Sequence, residues 1–343
     1  MKKKIALSKS KRDKLIDDIT IKKQRKIVPP SSKRKIILDK GQAPGDILVF
    51  TGAVRDLKTQ FPDWEIDVHT PCGAIYENNP HLTPGLKKTS PGVEFYDVGY
   101  SDVDNSGWSG RHFSNAYIIE LENILGVKIK QNSLLPDLHI SDEEKGWINQ
   151  VEETFGYRGS FWIINAGNKD DYPLKQWGFE NWQEMVNLLK NTIQFVQVGE
   201  VSAGHSHPEL KNVLSLVGET DLRQMIRLGY HAAGTVCHVT FHMHLAAAFK
   251  KPCVVIAGGR EPRRWEMYPN HRYMDTNGCM ECCSYNGCWQ NGYRDTYDES
   301  TQTNENKSCK NLVGCKPKCM QMIKPRQVTE EIMNYYIGGM LKF

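Results

Sequence analysis

Seven of the ten cysteines, Cys279, Cys282, Cys283, Cys288, Cys309, Cys315 and Cys319, fall within 41 residues near the C-terminus. Sulfur at that density is held together either by a metal or by disulfides. Cys279-x-x-Cys282 has a familiar ligand spacing, and tetrahedral thiolates suit zinc or iron equally. The spacings match neither ferredoxin pattern, which disfavours an iron–sulfur cluster. Free buried cysteines are the competing account. It fits Cys72, Cys237 and Cys253, two of them inside apolar strands, but not seven cysteines crowded among Gly, Asn and Lys.

A second set of chemistry-bearing residues lies in loops further upstream. Gly45-Asp46 precedes a helical pattern, so its carboxylate could project into a cleft and take a proton from an attacking hydroxyl; a helix cap is the alternative. Val239-Thr240-Phe241-His242 opens a helix directly after a strand. Free N–H groups there suit a diphosphate, with Thr240 and His242 as further donors. His244, one turn from Thr240, is either part of that site or a buried, hydrogen-bonded histidine. Lys175 could neutralise a leaving phosphate or be plain surface. His112 is a candidate acceptor contact. Arg260 and Glu261 follow the strand-end pair Gly258-Gly259 and either face the cleft or form a structural salt bridge.

The elements that would position these residues alternate regularly. Lys35–Asp39 reads as a buried strand, residues 41–46 as a tight loop, 47–58 as a helix and 66–70 as a strand, which is a βαβ unit. A strand at 93–98 and a helix at 112–125 follow, and Ser141-Asp-Glu-Glu144 caps a helix through Val151. The pattern then restarts with strands at 160–166, 194–198, 235–239 and 252–257, and helices at 181–189, 220–228 and 242–249. Residues 326–338 read as a final amphipathic helix. Two α/β halves in succession imply two similar domains facing a cleft. Ligands in such folds sit beyond the carboxyl ends of the strands. No P-loop, Gly-x-Gly-x-x-Gly or Gly-x-Ser-x-Gly sequence is present, which argues against a P-loop ATPase, a dehydrogenase and a serine hydrolase. A cleft enzyme for a diphosphate-bearing ligand is what remains.

Composition sets the outer bounds. At 343 residues, with 39% hydrophobic and 24% charged residues, the chain has room for two globular domains with real cores. No apolar run is long enough to cross a bilayer and no leader is evident, so a cytoplasmic address is expected, where clustered cysteines are more often metal ligands than disulfides. Residues 1–40 hold 15 Lys/Arg against 4 Asp, a net of +11, so the remainder sums to −7 within the overall +4. This block is either a polyanion-binding arm, for nucleic acid or an anionic membrane face, or a solvated tail.

Read in order, these stretches resemble glycosyltransferase family 9, the heptosyltransferase group. The first half carries Gly45-Asp46-Ile-Leu-Val-Phe-Thr-Gly-Ala-Val-Arg-Asp-Leu57 and Phe61-Pro-Asp-Trp-Glu-Ile-Asp-Val68. The second carries Lys175-Gln-Trp177, Gln197-Val-Gly-Glu200, Gly218-Glu-Thr-Asp-Leu-Arg223 and Met243-His-Leu-Ala-Ala-Ala248. The resemblance implies an α/β, GT-B fold: two Rossmann-like domains, acceptor in the first, nucleotide-sugar donor in the second, and no obligatory catalytic metal. Carried over, Asp46 is the general base, and Lys175 with Thr240, His242, Met243 and His244 holds the donor diphosphate. Glu200 lies near the nucleoside, and Gly258, Gly259 and Arg260 complete the donor side. The family usually has Asp-Ser/Thr-Gly where Val239-Thr240-Phe241 stands here, so an ADP-heptose donor does not simply carry over.

Beyond Gly259 the chain is similar to a branch related to autotransporter heptosyltransferases, which hold a metal with four cysteines. That pattern implies four of Cys282, Cys283, Cys288, Cys309 and Cys319 around structural zinc or iron, with Cys282 and Cys283 competing for one place. Residues 294–307 then form a surface loop between ligands. The expected organisation is a basic arm at 1–34, an acceptor domain at 35–157, a donor domain at 158–272, a cysteine segment at 273–324 and a C-terminal helix at 325–343. The expected activity is inverting transfer of a sugar from a nucleotide-diphosphate sugar to a hydroxyl on a glycan or protein. Transfer to hydroxylated DNA bases using the arm, or an inactive sugar- or nucleic-acid-binding protein, are the other readings.

Overall fold

The computed structural model describes residues 33–99, 110–169, 173–202, 204–284, 287–291, 295–296, 308–309, 311–337 and 340–341. The basic arm up to residue 32 and most of the expected 294–307 loop lie outside the described residues, whereas Arg34, expected in the arm, is buried and pairs with Glu94 at 2.6 Å.

Strand β1 (Lys35–Asp39) leads into helix α1 (Pro44–Gln60). The helix starts earlier than expected: Pro44, whose fixed φ suits a first helical position, begins it, so Gly45 and Asp46 lie in its first turn rather than in a loop. Strand β2 (Glu65–His69), strand β3 (Val93–Asp97) and helix α2 (Phe113–Leu125) follow. The three strands pair in parallel in the order β2-β1-β3. The apolar face of α1 packs this sheet through Ile47, Phe50, Val54 and Leu57.

The expected helix from Ser141 to Val151 is two short ones, α3 (Asp142–Gly146) and α4 (Gln150–Phe155). Ser141 and Glu144 do form the expected capping box. Trp147 then turns extended, and the Asn149 side chain accepts from Val151 and Glu152 N–H, starting a new helix.

The second half runs β4 (Phe161–Asn165), α5 (Phe179–Leu189), β5 (Gln194–Gly199), β6 (Leu214–Val217), α6 (Leu222–His231), β7 (Gly234–His238), α7 (Phe241–Ala248), β8 (Cys253–Gly258), α8 (Arg263–Glu266) and β9 (His271–Asp275). These six strands form one parallel sheet in the order β9-β8-β7-β4-β5-β6. Numbered from β4 this is the doubly wound order, with its reversal between β4 and β7. Strands β4, β7 and β8 are buried along their whole length, as a sheet covered on both faces requires. Strand β9 runs through the boundary expected at residue 272, so the second half reaches at least Asp275.

Helices α9 (Lys318–Met322) and α10 (Pro325–Met333) close the chain against the second sheet. The last helix ends at Met333 rather than at 338, because Tyr336–Ile337 turns into a strand pair with Met340–Leu341. Val328 and Ile332 of α10 join Trp162, Trp177 and Val254 in one core. Between the halves, α1 packs on α7 and α6 packs near Gly73–Tyr76.

Candidate active site

The two halves meet over a cavity of about 760 Å³. That volume lies within the range of about 300–1,000 Å³ usual for small-molecule sites. Ala43, Pro44, Gly45 and Asp46 line it from the first half, and the loops after β4, β5, β7 and β8 line it from the second. Asn165 and His238, at the ends of β4 and β7, place it at the reversal of strand order, where doubly wound sheets take ligands.

Asp46 is the third residue of α1, while Ala43 occupies the cap position without a side-chain bond. The capping alternative therefore does not describe Asp46, whose half-buried carboxylate lines the cavity and is felt by Lys40, Lys175 and Glu266. Behind it Lys40 is fully buried. Its ammonium donates to the Val98 and Gly99 carbonyls at 3.2 and 2.9 Å and lies 4.5 Å from the Tyr117 ring centre. Burial pushes the Lys40 pKa down to about 8, with Asp46 opposing that shift.

Across the cavity Thr240 caps α7 without a side-chain bond to its helix. Thr240 Oγ1 and His242 Nδ1 are buried with no hydrogen-bond partner among the described residues, and both residues line the cavity. Burial lowers the His242 pKa to about 4, so at neutral pH its ring is uncharged. Lys175 Nζ donates to the Val239 carbonyl at 2.8 Å and lies 3.2 Å from Glu261 Oε1. Burial, then the nearby Arg260, lowers the Lys175 pKa. This corner therefore combines a helix N-terminus, unsatisfied polar atoms and a cation, a setting suited to phosphate oxygens.

Arg260 and Glu261 satisfy both accounts drawn from the sequence. They line the cavity and also pair with each other. The Arg260 guanidinium lies 4.5 Å over the Trp289 ring, Trp289 is 5.5 Å from Trp265, and Trp265 is 5.8 Å from Phe113 of the first half. An aromatic wall thus runs across the cavity between the halves. Glu266 sits in it, 5% exposed, with Oε2 buried and unpartnered among the described residues. Burial raises the Glu266 pKa; Lys175 and Arg260 oppose this and Asp46 adds to it.

Glu200 lines the cavity as an exposed residue, its carbonyl 2.8 Å from His207 Nε2. His244 also lines it and is held from behind, Nδ1 lying 2.9 Å from the Tyr268 hydroxyl, so it is both a buried, bonded histidine and a wall of the site. Four expected site residues lie elsewhere. His112 is the N-cap of α2, accepting from Ser114 N–H at 3.2 Å and packed on Tyr268, and it is not among the lining residues. Met243 is fully buried in the core beneath α7. Gly258 and Gly259 face the cysteine segment: a Cβ at Gly259 would lie 2.8 Å from Cys283 Sγ, and one at Gly258 would meet Met320. Their lack of side chains makes room for that segment rather than for a ligand. Glu266, Trp265, Trp289, Phe113, Asn165, Asn168 and His207 escaped the sequence reading of the site, although loops after strands were the place to look.

None of the ten cysteines forms a disulfide. Cys282, Cys288, Cys309 and Cys319 are gathered around Cys288, whose thiol is raised first by burial and then by Cys319, with Cys282 and Cys309 adding to it. Burial likewise pushes Cys319 up to about 11. Asn311 Nδ2 donates to Cys282 Sγ at 3.4 Å, and Cys309 Sγ donates to Asn311 O at 3.7 Å. Cys283 instead turns inward to the Thr276 carbonyl at 3.6 Å, while Cys279 and Cys315 are exposed. The donor set suits a thiophilic cation, because Cys288 and Cys319, each held protonated by burial and by neighbouring sulfurs, are relieved by positive charge. Among the described residues no three cysteine sulfurs lie within 4.8 Å of one another, so the set is gathered but not closed.

Residues 126–287 match the family model for glycosyltransferase family 9 (heptosyltransferase). No curated protein matches. Among solved structures, a family 9 glycosyltransferase from Veillonella parvula superposes with a TM-score of 0.62 at 14% identity, over 88% of this chain and 96% of that one. The iron-containing dodecameric glycosyltransferase TibC of enterotoxigenic Escherichia coli gives 0.59 at 16% identity, over 88% and 75%. TibC has also been solved with ADP-D-β-D-heptose. The E. coli ADP-heptose lipopolysaccharide heptosyltransferase II gives 0.53 at 16% identity, over 88% and 98%. The family model that matches is thus the one the sequence resembles, and the fold is the GT-B arrangement of those neighbours.

Proposed function

We propose that the chain moves a sugar from a nucleoside-diphosphate sugar to an alcohol hydroxyl, with inversion at the anomeric carbon. The observation that carries this reading is the pairing of Asp46 on one wall of the cavity with Lys175, Thr240 and the α7 N-terminus on the other. Asp46 takes the acceptor's proton as the acceptor oxygen attacks the anomeric carbon. The bond to the diphosphate breaks, and its electron pair passes to a phosphate oxygen. Lys175, Thr240 and the N–H groups opening α7 stabilise the charge that develops there. Glu200 would contact the nucleoside, and Glu266 and the Trp265–Trp289 wall would contact the sugars.

A heptose donor agrees with the matched family and with the ligand of TibC. The aspartate that the family usually places before its Met-His-Leu-Ala segment is absent here, and Glu261 and Glu266 are carboxylates that line the same cavity. A glycan or protein hydroxyl is the acceptor class we favour; a DNA acceptor rests on the +11 charge of the first 40 residues alone. In the cysteine segment Cys282, Cys288, Cys309 and Cys319 would hold zinc or iron as a structural ion. Domain limits near 35–157 and 158–275, with the cysteine segment following, belong to the same proposal.

The deciding experiment screens ADP-, UDP-, GDP- and CMP-linked sugars for thermal stabilisation and then for nucleotide release. Stabilisation by a diphosphate sugar, with release that Asp46→Asn abolishes, supports the proposal. Release by no nucleotide sugar would point to a binding protein that keeps the fold.

A further inference from the structure

His81, Asp137 and His139 form a group outside the cavity that the proposed chemistry does not use. Among the described residues it is the one group of three or more His, Cys, Asp or Glu side chains whose ligand atoms all lie within 4.8 Å of one another. His139 Nε2 is 2.8 Å from Asp137 Oδ2, and His81 Nε2 is 3.5 Å from the same oxygen. Ligands about 2.1 Å from a tetrahedral ion are separated by about 3.4 Å, so the observed distances bracket what an ion needs. The three side chains are 15–31% exposed, which leaves an open face for water or a further ligand.

The surroundings hold these groups in place before any ion arrives. Asp137 N–H donates to Thr51 Oγ1 of α1 at 2.7 Å, and His81 N–H donates to Asn79 Oδ1 at 2.9 Å. Arg55 is the nearest opposing charge, 4.0 Å from Asp137 Oδ1. Its guanidinium is engaged with Asp56 at 3.0 Å and with the Leu135 and Ser133 carbonyls at 2.9 and 3.2 Å. It therefore addresses one carboxylate oxygen and leaves the other to the two imidazoles.

We propose that His81, Asp137 and His139 bind a first-row divalent cation of the zinc type, through two imidazole nitrogens and Asp137 Oδ2. Two neutral nitrogens with one carboxylate and an open position suit zinc and its cobalt or nickel substitutes better than magnesium or calcium, which prefer all-oxygen shells. The ion joins the turn at 78–82 to the segment at 133–139. That segment also reaches the second half, because the His139 carbonyl accepts from Arg223 at 3.0 Å. Bound metal would stiffen the junction on which the cavity depends, whatever the cavity transfers.

Cobalt(II) separates this site from the cysteines, since thiolate ligands give intense sulfur-to-cobalt charge-transfer bands and a His/Asp site gives only weak d–d bands. Full-length chain is stripped with a chelator, titrated with cobalt(II), and compared with a His81→Ala/His139→Ala variant and with Asp137→Asn, all checked for folding by circular dichroism and thermal unfolding. The expected result is one equivalent fewer per chain in the double variant, with any thiolate bands intact. Asp137→Asn should bind that equivalent at least tenfold more weakly. Equal stoichiometry in folded wild type and variants, or no cobalt outside the thiolate bands in wild type, overturns the proposal.

Discussion

Arg223 and Glu144 meet fork to fork, Nε to Oε1 and NH2 to Oε2 both at 2.7 Å, and in doing so join the two halves of the molecule. Arg223 lies on α6 of the second half, Glu144 on α3 of the first. The same guanidinium also donates to the Ala74 and His139 carbonyls at 3.0 Å each. Both side chains are nearly buried, at 12% and 7% exposure, so little water competes for them.

Removing one partner of a buried pair leaves the other charge uncompensated, which typically costs about 3–5 kcal/mol. Arg223→Ala should therefore lower the thermal midpoint sharply in differential scanning calorimetry, while Arg223→Lys, which cannot reproduce the fork, recovers only part of the loss. The Arg223 hydrogen bond also leads the causes that lower the Glu144 pKa. Its contribution is complete above the usual carboxylate pKa and fades as pH falls through the lowered one. An unchanged midpoint for Arg223→Ala would mean that the clamp does not hold the halves together.

Acid sensitivity should begin earlier than carboxylates alone would cause. Burial lowers His112 and His242 to about 4, and His238, His244 and His271 to about 3. Between roughly pH 6.5 and those values the unfolded chain binds protons that the native chain does not, so stability declines as pH falls. Each histidine contributes up to about 1.4 kcal/mol per pH unit over that window. Chemical unfolding at pH 7.5, 6.5 and 5.5 should show a smaller loss over the first step and a steeper one over the second.

Asp46→Asn keeps the size of the side chain and removes its basicity. Turnover should fall by about 10²–10⁴-fold, the usual range for loss of a general base. Donor affinity, read by calorimetry with the nucleotide sugar found in the screen, should be nearly unchanged. A parallel loss of affinity would indicate that the carboxylate binds substrate rather than activating it.

Lys175→Met should separate in the opposite way. Loss of a charge-assisted contact to phosphate costs about 1.5–3 kcal/mol, or roughly 10- to 150-fold in nucleoside-diphosphate affinity. Binding of the bare nucleoside should not change. Equal weakening of both ligands would assign Lys175 to its Val239 and Glu261 contacts alone.

Cys288→Ser tests the sulfur cluster at its centre. Elemental analysis should show loss of one thiolate-bound zinc or iron per chain, accompanied by a lower thermal midpoint. Cys279→Ser and Cys315→Ser, both at exposed positions, should alter neither. If the Cys288 variant retains its metal, the quartet is drawn wrongly.

The α/β alternation was legible because buried parallel strands such as β7 and β8 read as apolar runs and two of the helices, α3 and α6, carry clear caps. Asp221 and Ser141 both form capping boxes in the structure. The start of α1 was misread because Pro44-Gly45 looks like a turn, although Pro is also well suited to open a helix. In the site, Asp46, Thr240 and His242 could be found because each stands at a strand end or helix start, whereas Lys175 closes the short turn Pro173–Lys175 ahead of α5. Glu266 and Trp289 could not. They come from a four-residue helix and from the cysteine segment, and only long-range packing brings them to the cavity. Met243 and the Gly258–Gly259 pair showed the converse, since side chains in a motif can serve the core behind the site.

The cysteine segment is stitched to the cavity wall by backbone: Cys288 N–H donates to Gly259 O at 3.1 Å and Trp289 N–H to Arg260 O at 3.2 Å. A thiol of the cysteine group and an indole that lines the cavity are thus neighbours in the chain. An oxidant that attacks those thiols need never enter the pocket to silence it, because displacing Cys288 drags its neighbour along.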